Sequence, residues 1–212
     1  MGANPDGNAY QPETLAFMGM ANNYHFVLAS NFHGGVEVLN YPWDTYTVAQ
    51  GLHTDNDWYR LISIEYATNA QNDSPAGYFD YVAHTGATPG VTHGSSWYQV
   101  AGGRQDYMNY DQQSREVTIE LSDVKNIAAG QIQNHWNYNR DALIDFIKQG
   151  INGFQGVVHD VNTNLPILAK VTVIGRDDQT NSRYSWVETE LLTGNEKVDY
   201  YRPIKAGTYN IL

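Results

Sequence analysis

The stretch His25 to Asn31 (His-Phe-Val-Leu-Ala-Ser-Asn) constrains the fold most, because it is a continuous apolar run of strand length. Runs of this kind belong to strands covered on both faces, as in parallel sheets. The run leads into Phe32-His33-Gly34-Gly35, which puts His33 at the strand's C-terminal end. That edge is where open α/β sheets bind their ligands. Residues 115–121 alternate as a strand does, with Val117, Ile119 and Leu121 on one face and Glu116, Thr118 and Glu120 on the other.

Helices accompany these strands. Gln11-Pro12-Glu13-Thr14 reads as a helix start, with proline in the first turn and an acid where the helix dipole favours it. Leu15, Met18 and Ala21 lie on one face of that helix, and Asn22-Asn23 ends it. Residues 57–70 have helical spacing through Leu61, Ile64 and Thr68. Residues 133–148 form an amphipathic helix whose apolar side is expected from Trp136, Leu143, Ile144, Phe146 and Ile147, with Gly150 as its stop. Residues 40–44 read as a turn, and residues 71–96, rich in Gly, Ser, Thr and Pro, as a long surface loop of the kind that binds ligands. The fold class is α/β.

The composition shifts at residues 150–155. Short strands with turns follow, at 156–160, 169–174, 182–187, 200–203 and 207–212, as in a small β-sandwich. Two units are expected, over residues 1–150 and 155–212.

Charge narrows the partners. Twelve basic against 23 acidic residues give a net charge of −11, and Lys and Arg form no cluster. A nucleic-acid partner needs a positive patch and is excluded on that ground. An acidic surface is compatible with basic peptides and equally with plain solubility. No cysteine is present, so disulfide and thiolate chemistry are absent. No apolar stretch approaches the length of a membrane span. The residues after Met1 have neither a basic nor an apolar leader segment, which leaves two expectations: a cytosolic chain, or a true N-terminus further upstream.

Taken singly, the polar residues are ambiguous. A histidine at a strand end more often makes a structural hydrogen bond than binds a metal, and a glutamate on a polar strand face is usually solvated. No His-Glu-x-x-His or Gly-x-Ser-x-Gly motif occurs. Four segments together are more specific. They are Gln11-Pro12-Glu13-Thr14, then Asn31 to Asp44 (Asn-Phe-His-Gly-Gly-Val-Glu-Val-Leu-Asn-Tyr-Pro-Trp-Asp), then Gly94 to Tyr107 (Gly-Ser-Ser-Trp-Tyr-Gln-Val-Ala-Gly-Gly-Arg-Gln-Asp-Tyr), then Glu116 to Lys125 (Glu-Val-Thr-Ile-Glu-Leu-Ser-Asp-Val-Lys). In order and spacing they resemble the C-terminal part of the catalytic domain of zinc metallocarboxypeptidases of the N/E type, over about residues 8–149. Gly156-Val157-Val158-His159-Asp160 and Tyr201 to Tyr209 resemble the transthyretin-like domain that follows it in that family, here as an incomplete fragment.

The resemblance implies a mixed sheet, and removal of C-terminal residues from peptides and proteins with one Zn2+ per complete site. By position, His33 matches the third zinc ligand and Glu120 the general base. Tyr98 matches the tyrosine that closes over substrate. Asp44 and Gln105 match the positions that recognise a basic C-terminal side chain. Asp44 could instead cap the turn after Pro42, and Gln105 could bond the backbone of its own loop. His159 is expected to be structural. Two further zinc ligands of the family, in a His-x-x-Glu arrangement, have no counterpart before His33. The expectation is therefore a truncated, inactive portion with weak or absent zinc. The rival is a non-catalytic peptide-binding module derived from the same fold. Secretion or a periplasmic location is expected from the family alone.

Overall fold

A computed structural model describes residues 7–177, 186–191 and 198–212. Helix α1 (Pro12–Tyr24) ends where His25 adopts a left-handed φ of 44°. Strands β1 (Leu28–His33) and β2 (Val36–Tyr41) follow, joined by Gly34-Gly35. Gly35 has a φ of 131°, which side-chain-bearing residues rarely adopt. Next come α2 (Asn56–Asn72), β3 (Val91–His93), the single turn α3 (Gly94–Trp97), α4 (Arg104–Tyr110), β4 (Arg115–Ser122) and α5 (Ile132–Lys148).

The four strands form one mixed sheet in the order β1-β4-β2-β3. Strand β4 runs parallel to β1 and antiparallel to β2, so it is inserted between two strands that are consecutive in sequence. Alternation divides the sheet by face. Leu39, Tyr41, Val91, Val117 and Ile119 enter a core with Trp58, Tyr59, Ile62 and Tyr66 of α2 and Ala142 and Phe146 of α5. The opposite face carries Asn31, His33, Val38, Asn40, Glu116, Thr118 and Glu120, which the strand register brings side by side.

Several sequence expectations change here. The first strand begins at Leu28 and reaches His33, and it is a half-exposed edge strand rather than a strand covered on both faces. Residues 36–41 are a strand, not merely the approach to a turn. The surface loop at 71–96 contains β3. Each long helix buries only part of the face its aliphatic residues suggest: Ile64 of α2 and Leu143 and Phe146 of α5 pack at the core as expected. In α2, Leu61 is exposed, and the core takes Trp58, Tyr59, Ile62, Tyr66, Ala67 and Ala70. In α5, Trp136, Ile144 and Ile147 are exposed, while Asn139, Ala142 and Phe146 are buried. The reason is polar pairing. Tyr66 Oη donates to Asn139 Oδ1 at 2.9 Å, and Asn139 Nδ2 donates to Tyr78 Oη at 2.6 Å. A buried amide that is fully paired lets a polar stripe face the core.

After residue 150 the chain forms β5 (Gly153–Val157), β6 (Lys170–Val171), β7 (Val187–Glu188), β8 (Glu190–Leu191) and β9 (Val198–Pro203). These make an antiparallel sheet in the order β5-β9-β8 and a β6-β7 pair. Of the expected strands, the segment 182–185 lies outside the described residues, and 207–212 contributes one bridge, Val173 to Ile211. His159 Nδ1 lies 3.0 Å from the Asn164 carbonyl oxygen.

This part is joined to the rest by buried charge. Asp55 precedes α2 and is fully buried. Its carboxylate meets Arg115 of β4 at 3.1 Å, Arg202 of β9 at 2.7 Å and Arg176 at 3.2 Å. Arg202 also pairs with Asp177, and Arg176 with Asp57, both at 2.8 Å. Three acids thus balance three guanidinium groups. Every carboxylate oxygen of Asp55 is paired, as a buried charge requires.

Candidate active site

The polar sheet face carries the site. His33 and Glu120 are register partners on adjacent parallel strands. His33 Nδ1 lies 3.6 Å from Glu120 Oε1, with the His33 side chain 62% exposed and that of Glu120 8% exposed. One residue therefore faces solvent and the other is sunk behind it. Glu120 is not a solvated surface glutamate. Burial raises its carboxyl above the usual range, opposed by the neighbouring His33 and Lys125. Its Oε2 atom is buried and has no hydrogen-bonding partner among the described residues.

Tyr98 follows the α3 turn and is exposed. Partial burial raises its phenol pKa, and the negative charges of Glu120 and Asp44 add to the effect, which places the ring near both.

Asp44 is buried, and Asn40 Nδ2 donates to its Oδ1 at 2.9 Å. It does not cap the turn after Pro42. Burial pushes its carboxyl up to about 6, against the Asn40 hydrogen bond and with help from the nearby charge of Asp106. The space it occupies exists because residue 94 is glycine. A Cβ there would lie 1.9 Å from Asp44 Oδ1 and 2.9 Å from Asn40 Oδ1. Gln105 is 1% exposed, yet neither polar atom of its side chain finds a partner among the described residues. It does not bond its own loop. Asn40 Oδ1 is likewise buried and unpartnered. Such groups are costly unless something binds them.

The structure thus brings His33 and Glu120 into direct contact, puts Tyr98 within electrostatic reach of Glu120 and Asp44, and places Gln105 on α4, which packs against β4 and β1. Sequence reasoning missed the supporting residues. Glu116 is fully buried and binds Arg104 at 3.0 Å and Asn31 at 3.0 Å. Asn31 also donates to Thr118 Oγ1. His93, pushed down to about 4 by burial, accepts the Trp43 N–H through Nε2. The one signal for Glu116 was its two-residue spacing to Thr118 and Glu120, which marks a shared face.

The sequence profile of the zinc carboxypeptidase family matches residues 2–142. This chain belongs to the zinc carboxypeptidase family. It is 35% identical to human carboxypeptidase D over 215 residues, covering 95% of this chain and 14% of that protein. It is 31% identical to Caenorhabditis elegans carboxypeptidase E over 215 residues, covering 95% of this chain and 44% of the relative. To the mouse carboxypeptidase N catalytic chain it is 29% identical over 214 residues, covering 95% and 42%. The chain therefore spans less than half the length of these carboxypeptidases.

The family implies Zn2+. A catalytic zinc takes three protein ligands and keeps one position open. Among the described residues, no group of three His, Cys, Asp or Glu side chains converges to hold a metal. The donor set among the described residues does not fit a complete zinc centre. Among the described residues, no helix is long and apolar enough to cross a membrane.

Proposed function

We propose that this chain carries the base, the mobile tyrosine and the side-chain pocket of a metallocarboxypeptidase that removes C-terminal residues, preferably Lys or Arg, from peptides and proteins. Glu120 is the proton acceptor. It takes a proton from the attacking water and returns it to the leaving amine. Tyr98 closes over the substrate. Asp44 offers a charge-assisted partner to a basic side chain, and Gln105 supplies a donor and an acceptor beside it. His33 is one zinc ligand, and the remaining ligands come from outside these 212 residues. Residues 155–212 are a transthyretin-like unit without catalytic residues.

The observation that carries this reading is the set of buried polar atoms without a hydrogen-bonding partner among the described residues: Glu120 Oε2, Asn40 Oδ1 and both polar atoms of Gln105. The test has two arms. In a polypeptide that supplies the remaining ligands, Glu120→Gln keeps shape and peptide affinity but loses turnover by about 10²-fold or more, since it removes the proton acceptor. Near-normal turnover would assign the base elsewhere. The second arm uses this chain alone. After dialysis against zinc, metal content stays well below one ion per chain, because affinity comes from several ligands held together.

The ligand count favours a second reading for the isolated chain: a peptide-binding module that does not cut. Release of C-terminal Arg from a peptide, measured together with peptide binding, divides the two.

A further inference from the structure

Three successive backbone N–H groups beside the pocket are accepted by side chains alone. The Trp43 N–H donates to His93 Nε2 at 3.2 Å. The Asp44 N–H donates to Asp106 Oδ1 at 3.0 Å, and the Thr45 N–H to Asp106 Oδ2 at 2.7 Å. Both oxygens of one buried carboxylate are thus committed to adjacent peptide groups on the segment that carries Asp44. Carboxylate-to-amide bonds of this kind are charge-assisted and among the stronger protein hydrogen bonds. The carbonyls of the same segment are also held, Trp43 by the Ser95 N–H and Asp44 by the Val100 N–H.

Asp106 is itself tied to the base. It lies in the first turn of α4. Arg104, at the start of that helix, pairs with Glu116 of β4 at 3.0 Å. Asn109, one turn further on, donates to the Glu116 carbonyl at 2.9 Å. Strand β4 carries Glu120 four residues later. A short path through hydrogen bonds and the backbone of α4 therefore connects the base strand to the Asp44 backbone, and Asp106 is its last member.

We propose that Asp106 is the positioning residue of the side-chain pocket, clamping the Asp44–Thr45 backbone to α4 and so fixing the depth of the Asp44 carboxylate relative to Glu120. The inference rests on the reading of Asp44 and Gln105 as a pocket for basic side chains. A clamp matters there because the Asp44 carboxylate already fills the space over Gly94. A small shift would bring it into collision with Gly94 or withdraw it from a ligand. Gln105 precedes Asp106 in the chain, so one helical turn sets both polar groups of the pocket.

The test uses the full chain and two free amino acids, L-arginine and its uncharged isostere L-citrulline, titrated by nuclear magnetic resonance. The wild-type chain prefers arginine. Asp106→Asn keeps the side-chain shape but turns an amide N–H2 toward one of the two backbone donors. The expected result is a fall of about tenfold in the arginine-to-citrulline preference, with citrulline affinity nearly unchanged. A general loosening of the fold would weaken both ligands together and leave the ratio alone. The pH profile gives a second readout. Wild-type preference fades as pH falls through about 6, where Asp44 takes up a proton. Removing the Asp106 charge moves that fading to lower pH. Retention of the wild-type ratio and profile by Asp106→Asn overturns the clamp and leaves the pocket standing. Absence of any arginine preference in the wild type overturns the pocket and the clamp with it. Amide hydrogen exchange on the wild type is independent of whether the variant folds. Protection at Asp44 and Thr45 is expected, and exchange at the rate of an unstructured peptide would also overturn the clamp.

Discussion

Asp44 is held ionised at a cost to the fold. Its carboxyl is raised from an ordinary 3.8 to about 6, so the folded state binds this proton more tightly than the unfolded chain does. Ionising it therefore destabilises the protein. The penalty is absent below about pH 4, grows as pH rises through 6, and is fully present at pH 7, where it is on the order of 3 kcal/mol. Asp44→Asn should raise stability at pH 7 by about 1–3 kcal/mol while abolishing discrimination between arginine and citrulline. Urea unfolding at pH 7 and pH 4 checks this, and the gain should shrink at the lower pH. The sequence suggested a kind of role for Asp44 and Gln105 but not their setting. Nothing in Pro42-Trp43-Asp44 shows that the carboxylate is buried over a glycine 50 residues away in sequence. Nothing in Gly103-Arg104-Gln105 shows that the amide is left without a partner. Burial and partnership come from long-range packing, which residue types alone do not encode.

At the scale of elements, helix existence was legible and helix facing only in part. Residues 57–70 and 133–148 form helices close to their expected limits. Their buried faces also turn on tyrosines and an asparagine that find partners in other elements, so counting aliphatic residues found Ile64, Leu143 and Phe146 but also chose residues that stay exposed. Strand β2 escaped notice because Glu37 and Asn40 interrupt its apolar pattern. Each has a specific reason to be there: Glu37 accepts the Phe79 N–H, and Asn40 holds Asp44. The arginines at 115, 176 and 202 were equally silent. They belong to three different elements and meet only at Asp55. Arg202→Met should destabilise the protein by about 3–5 kcal/mol, because it leaves Asp55 and Asp177 short of a buried partner. Chemical denaturation of the variant measures this directly.

At the scale of the molecule, the Asp55 cluster ties the two expected units together through buried ion pairs. Strand β9 cannot leave without stripping Arg202 from Asp55, and the buried carboxylate then destabilises what remains. Unfolding should therefore be a single transition. Backbone amides of β4 and β9 should exchange with solvent through the same global opening, with equal free energies. Separate opening of β9 would show that the charge cluster does not couple the parts. The order of the sheet has a consequence for assembly as well. Strands β1 and β2 are separated by two glycines, yet they never pair, because β4 lies between them. The nascent chain must hold that gap open, or abandon a premature hairpin, until a strand lying 87 positions further along arrives to fill it. Closing so long a loop is slow relative to local structure. His33 and Glu120 sit on opposite sides of that final junction. The pair requires β4 in its place beside β1, so a partly made copy of this chain that lacks β4 also lacks the His33–Glu120 pair.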